Sequence, residues 1–166
     1  MSDKIAALFQ GSPHLGVTIL LSMLPVSELR GAIPYAIAQG IPWQQAYIVS
    51  VLANFAVVVP VVFLLGPASE WLRHIRFFDR FFTWLFARTR RKGKLIERFE
   101  TLGLILFVAI PLPITGAWTG AAAAFVFGVR KLPALMAIFI GICIAGVIVT
   151  LATTGVIGFI GLTKAH

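Results

Sequence analysis

Residues 23–34, MLPVSELRGAIP, set Glu28 and Arg30 beside Pro25, Gly31 and Pro34 inside hydrophobic sequence. A charged side chain at the centre of a bilayer costs roughly 2.5 to 3.5 kcal/mol on insertion scales, so it persists only where it faces protein or water. Non-helical backbone is tolerated at that depth under the same condition, because hydrocarbon cannot satisfy freed N–H and C=O groups. Both costs fall on one short segment, which makes it the first candidate for a site.

That reading depends on the chain being a membrane protein, and the composition says so. Of 166 residues, 59% are hydrophobic and 12% charged, with mean hydropathy +0.96. A soluble domain carries about 25% charged residues. Phe is frequent (14) and Tyr rare (2), which suits side chains buried in lipid or between helices. The first residues lack a basic region followed by an apolar core and a small-residue cleavage site, so the spanning segments themselves are expected to direct insertion.

Outward from residues 23–34, the apolar sequence divides into two halves, each an interrupted segment followed by a cleaner one. In the first half, 15–40 is broken by Pro25, Gly31 and Pro34, and 47–65 is long enough to cross a hydrocarbon core of about 30 Å. Asn54 and Pro60 in that span suggest interhelical hydrogen bonding and a mild kink. In the second half, 102–128 is broken at Pro111, Pro113, Gly116 and Gly120, and 132–162 is apolar and uncharged. That last stretch is expected to be one tilted helix, or one helix with a short interfacial tail.

A shift of 88 positions lays Leu24-Pro25-Val26-Ser27 over Leu112-Pro113-Ile114-Thr115, and Ala36 and Gly40 over Ala124 and Gly128. Paired, Gly/Pro-interrupted hydrophobic segments at corresponding places are the usual sequence pointer to a transporter's binding site. Helix ends at such breaks expose unpaired N–H or C=O groups that can hold an ion.

Between the halves, Arg73 to Arg98 hold nine Lys or Arg against Asp79 and Glu97, and much of the net charge of +8. The positive-inside rule accounts for this cluster as a cytoplasmic segment; no nucleic-acid reading motif accompanies it, so no nucleic-acid partner is expected. Arg73, Arg76 and Arg80 form a polar seam on an otherwise apolar helical pattern over 68–87, which suits a helix lying in the interface. Arg90, Arg91 and Lys92 follow as a polybasic run attractive to anionic lipid. The alternative role for this segment is that of a topogenic anchor alone.

The expected fold is therefore an all-α polytopic membrane protein. It is an inverted repeat of two re-entrant helical hairpins, each followed by a transmembrane helix, with a central interfacial amphipathic helix. The parts of this single membrane domain are 1–67, 68–100 and 101–166. Weak charge at the ends, Lys4 and Lys164, leaves the absolute orientation open.

Glu28 is the sole acid within the hydrophobic segments, and burial and the nearby Arg30 act on its charge in opposite senses. It reads as a proton or cation carrier, with Arg30 as an anion anchor and Pro25, Gly31 and Pro34 shaping the loop. The plainer alternative is a static ion pair that fixes the loop. In the second break, Thr115, Gly116, Trp118, Thr119 and Gly120, with Pro113, offer hydroxyls, freed carbonyls and an aromatic face; close packing of small residues is the alternative there. The histidines, His14, His74 and His166, form no metal-ligand spacing, and lone Cys143 has no disulfide partner. No catalytic set, metal or cofactor is expected.

The signatures SELRGAIPYAIAQG (27–40) and PLPITGAWTGAAAA (111–124) resemble the small multidrug export protein family of bacterial and archaeal membranes. The resemblance implies a transporter. The arrangement is also similar to DedA-type membrane proteins, whose opposed re-entrant hairpins are associated with lipid scrambling and polyprenyl-phosphate recycling. By that similarity Glu28 and Arg30 would be the charged residues of the first loop. This chain departs from the pattern in the second loop, where Gly116, Ala117 and Trp118 stand in place of arginine.

Three functions remain open on these grounds. The first is an ion-coupled secondary transporter of the cell membrane, moving a lipophilic or lipid-like substrate with proton or sodium coupling. The others are a polyprenyl-phosphate or phospholipid flippase, and a non-transporting assembly factor that binds partners through the interfacial helix and the glycine-rich last helix, Gly141 to Gly161. A cavity large enough for a lipid is expected to need two copies of so short a chain, hence a homodimer among membrane lipids.

Overall fold

The structure is a computed structural model that describes the backbone of residues 13–72, 94–111 and 116–164, with side chains for 13–67, 101–111 and 116–156. Among the described residues there are six helices and no strand. They are α1 (Pro13–Met23), α2 (Glu28–Ala38), α3 (Trp43–Leu72), α4 (Lys94–Ala109), α5 (Ala117–Val126) and α6 (Lys131–Lys164).

Two helices are long and apolar. In α3 the stretch Trp43–Pro67 has mean hydropathy 2.7, and in α6 Lys131–Val156 has 2.8. At 1.5 Å per residue, 25 and 26 residues exceed the roughly 30 Å of hydrocarbon. The first span outruns the expected 47–65 at both ends, running from Trp43 to Pro67, with Gly66 and Pro67 inside α3. The second is one continuous helix. The expected interfacial segment enters the described residues only at its ends, where 68–72 continue α3 and 94–100 open α4. Arg73, Arg76, Arg80, Arg90, Arg91 and Lys92 lie outside them.

The remaining helices are short and come as two packed pairs, α1 with α2 and α4 with α5. At 11 residues each, α1 and α2 reach only about 16 Å. Ser27 Oγ donates to the Leu21 carbonyl beside the turn, and His14 Nδ1 lies 3.0 Å from Tyr35 Oη at the far end. The pair is thus a hairpin tied at both ends.

The bonds that end α2 and α5 recur at a spacing of 88 positions. After α2 the amide of Gln39 bonds to Tyr35, Gly40 to Ile37 and Ile41 to Ala36; after α5 Phe127 bonds to Ala123, Gly128 to Phe125 and Val129 to Ala124. Each bond recurs at the same shift. The closing glycines have φ of +81° at Gly40 and +68° at Gly128, the left-handed cap that ends a helix and that a side chain would strain. The following helices open alike, Ala46 bonding to Pro42 and Ala134 to Arg130.

The chain forms two compact units, one of residues 1–54 with 143–166 and one of 55–142. The boundaries at Asn54 and Ile142 are themselves 88 positions apart. In the first unit Leu15, Ala36, Ile41, Ala46 and Val49 make one apolar cluster, and the Tyr47 hydroxyl donates to the Cys143 carbonyl at 3.2 Å. In the second, Phe55 packs edge-on against Phe139, with ring centroids 4.8 Å apart, and Lys131 Nζ lies 5.1 Å above the Phe63 ring. Those two contacts make the parts of α3 and α6 in the second unit run antiparallel.

Candidate functional site

The first break is tighter than the sequence suggests. It occupies only Leu24 to Ser27, closed by the Glu28 amide bonding to the Leu24 carbonyl at 3.0 Å. Pro25 is in it, exposed. Gly31 and Pro34, expected to shape the loop, instead lie within α2, both half-buried. Pro34 has no N–H to donate to the Arg30 carbonyl four residues earlier. Gly31 serves close approach: a Cβ there would sit 2.9 Å from Ser27 Cβ. Gly31→Ala is expected to cost about 1 to 2 kcal/mol by pushing Ser27 off its perch; unchanged melting of the purified variant would contradict this packing.

Glu28 opens α2 with φ of +47°, the one left-handed non-glycine among the described residues. L-residues pay roughly 1 to 2 kcal/mol for that conformation, and such strain concentrates at functional positions. The residue is also buried, at 5% exposure. A carboxylate at a helix N-terminus is favoured by the positive end of the helix dipole. Arg30, half-buried two residues on, is drawn electrostatically to Glu28. The first unit thus holds a buried acid and a partly buried base at a helix start.

The second break, expected at Pro111, Pro113, Gly116 and Gly120, is shorter too. Gly116 is buried and immediately precedes α5, while Gly120 lies inside that helix. Gly120 is a packing position, because a Cβ there would meet Val108 Cγ2 at 2.5 Å. Thr119 is exposed and its hydroxyl donates to the Gly116 carbonyl at 3.2 Å, and Trp118 is half-buried. Pro113 and Thr115 lie outside the described residues. Beside this hairpin, an apolar groove of about 400 Å³ is lined by Leu104, Phe107, Ala123, Ala124 and Phe127 among others.

Among the described residues, the six buried polar or charged ones, Thr18, Ser22, Glu28, Ser50, Asn54 and Thr150, all belong to the first unit. Thr18, Ser22 and Thr150 are satisfied locally, their hydroxyls donating to the His14, Thr18 and Gly146 carbonyls at 2.8, 2.7 and 2.7 Å. Ser50 Oγ and both amide atoms of Asn54 have no hydrogen-bond partner among the described residues. The interhelical bond expected of Asn54 is therefore absent there. Each such buried group costs about 1 to 3 kcal/mol by protein mutational measures. Sequence reading misses Ser50 and the His14–Tyr35 tie. The four-residue spacing of Ala46, Ser50 and Asn54 is the available signal for the first; nothing local marks the second.

The sequence pattern of the family described as "Putative small multi-drug export protein" matches residues 28–148, from Glu28 at the start of α2 through α3, α4 and α5 into α6. The chain belongs to this family. As a member of the small multidrug export family with two membrane-capable helices, it is a membrane protein. No curated protein and no solved structure matches it, and the expected likeness to DedA-type proteins is not shown by any of the comparisons.

Proposed function

We propose that this small multidrug export family protein is a multi-pass secondary transporter of the inner membrane, with Glu28 as its ion-coupling group and Arg30 as its anion anchor. The observation that carries the reading is Glu28, an acid 5% exposed in a left-handed backbone at the break of a hairpin. That hairpin's arms, 11 residues each, are about half the length needed to cross. A re-entrant hairpin accounts for their length, and burial within protein accounts for the charge. An inverted repeat is supported by the recurrence of the helix-ending bonds at 88 positions and by the antiparallel course of α3 and α6 in the second unit.

The substrate class is lipophilic or lipid-like, in keeping with the apolar groove of the second unit. Arg30, as a phosphate partner in the first unit, favours a second reading as a polyprenyl-phosphate or phospholipid flippase. Of the glycines the assembly-factor reading uses, Gly141 and Gly146 pack inside the chain, where a Cβ would strike Val108 or Tyr47 at 2.6 and 2.7 Å, and Gly155 stands in open space. Transport rather than catalysis, surrounding lipid as partner, and a homodimer that completes the cavity belong to this proposal.

Thermal stabilisation by ligand tests it, with tetraphenylphosphonium and a polyprenyl phosphate as probes at two pH values. Coupled export predicts stabilisation by the cation that varies with pH and disappears in Glu28→Gln. Stabilisation by the phosphate that disappears in Arg30→Ala would select the flippase. Indifference of the wild-type protein to both probes would end the transport reading.

A further inference from the structure

On α3 the residues Ala46, Ser50, Asn54, Val58 and Val62 repeat every four positions, and all are buried. They form one stripe along the helix. The counterparts on α6, at the repeat shift of 88, are Ala134, Ile138, Ile142, Gly146 and Thr150, buried as well. The two stripes differ most at one place. Where α6 has Ile138 and Ile142, both fully buried, α3 has a serine and an asparagine, also with no exposed surface.

Isoleucine at the matched positions means that an apolar side chain suits this point of the repeat. The polar choice in α3 is therefore unexplained by packing, and it is unexplained by hydrogen bonding too. Asn54 lies near the middle of the apolar stretch Trp43–Pro67, where lipid offers no donor or acceptor. Its amide needs a donor for Oδ1 and an acceptor for Nδ2, and neither is supplied by the described residues. Ser50, one turn away, forgoes the bond to its own helix that Thr18, Ser22 and Thr150 all make. A bare cation would satisfy Oδ1 and leave Nδ2 unpaired. A neutral molecule that both donates and accepts satisfies the whole set, and water is the smallest of that class.

We propose that Ser50 and Asn54 line a path for water in the first unit, closed in the present conformation and open in a second one. The inference deepens the transport reading, on which it rests, by identifying where the first unit becomes wet. Opening exchanges unpartnered buried groups for hydrated ones, so the polar pair biases the unit toward its open form. The isoleucines at the matched positions of α6 carry no such bias.

Cysteine accessibility in native membranes tests the proposal in a Cys143→Ala background, which frees the chain of its one native thiol. Ser50→Cys and Asn54→Cys are treated with a charged, membrane-impermeant methanethiosulfonate, with Val58→Cys as the buried apolar reference on the same stripe. Labelling at both polar positions at least about tenfold faster than at Val58→Cys is the expected result for a transiently open state. Labelling at the Val58→Cys rate would overturn the proposal. Asn54→Leu supplies a readout independent of labelling: its melting temperature is expected to match or exceed that of wild type. A marked fall would mean that the amide has a structural partner, and would also overturn it. If the wild-type protein responds to the cation or phosphate probe while neither cysteine labels, the water path fails and the transport reading stands.

Discussion

Gly141→Ala lowers the stability of the protein by about 3 kcal/mol, the upper end of what overpacking ordinarily costs. The added methyl would stand 2.6 Å from Val108 Cβ, 2.8 Å from its Cγ1 and 3.0 Å from the Ile105 carbonyl oxygen. Two of these are fixed atoms, a branched Cβ and a backbone oxygen, so no side-chain rotation relieves them. The other methyl of the same valine, Cγ2, points at Gly120, where an added Cβ would meet it at 2.5 Å. Val108 is therefore seated between two glycines of the second unit, and rotation about its stiff χ1 frees neither methyl. At roughly 2 to 4 °C per kcal/mol for a chain of this size, the melting temperature of Gly141→Ala falls by about 6 to 12 °C.

A double-mutant comparison makes the geometry testable in detail. Val108→Ala removes both methyls but keeps Cβ, so it rescues Gly120→Ala and leaves Gly141→Ala largely unrelieved. Gly155→Ala is the neutral reference, since nothing lies within 4 Å of the added carbon. Equal rescue of both glycine variants would contradict the placement of Val108.

Glu28→Gly is expected to be more stable than Glu28→Ala by about 1 kcal/mol, the reverse of the usual order. In an ordinary helix interior, alanine is favoured over glycine by about 1 kcal/mol. At φ of +47° alanine pays roughly 1 to 2 kcal/mol that glycine does not. Both variants lose the carboxylate, so their difference isolates the backbone. Both are expected to lose the pH-dependent response to tetraphenylphosphonium, while only the alanine variant pays the conformational cost. Melting curves in one detergent decide it: an alanine variant more stable than the glycine variant would place Glu28 in ordinary right-handed helix. The native protein holds an acid in a conformation better suited to glycine, a cost of the kind found where function constrains a residue.

Gly31 and Pro34 show why the break is legible only in outline. Glycine and proline beside a charged pair read as loop because both weaken helices. Gly31 stands in α2 because Ser27 folds back to within 2.9 Å of where its Cβ would be. That contact is with a residue only four positions earlier, across the packed turn. Gly120 misleads for a longer-range reason, its neighbour Val108 lying on another helix. The glycines of α6 also divide by environment, Gly141 and Gly146 against side chains and Gly155 in open space. Asn54 reads as an interhelical donor from its chemistry, yet pairing depends on what faces it.

By itself the sequence determined the helical class, the two long apolar helices and the two breaks. Each of these is written in local terms, as hydropathy over a window, turn residues and their spacing, and the backbone obeys them without reference to distant residues. Only the tertiary structure decided that Glu28 adopts a left-handed backbone, that Val108 claims Gly120 and Gly141, and that Ser50 and Asn54 are buried without partners among the described residues. Those outcomes turn on which atoms meet across helices. Sterics and hydrogen-bond satisfaction act at the few ångströms between such atoms, a distance that no spacing along the chain encodes.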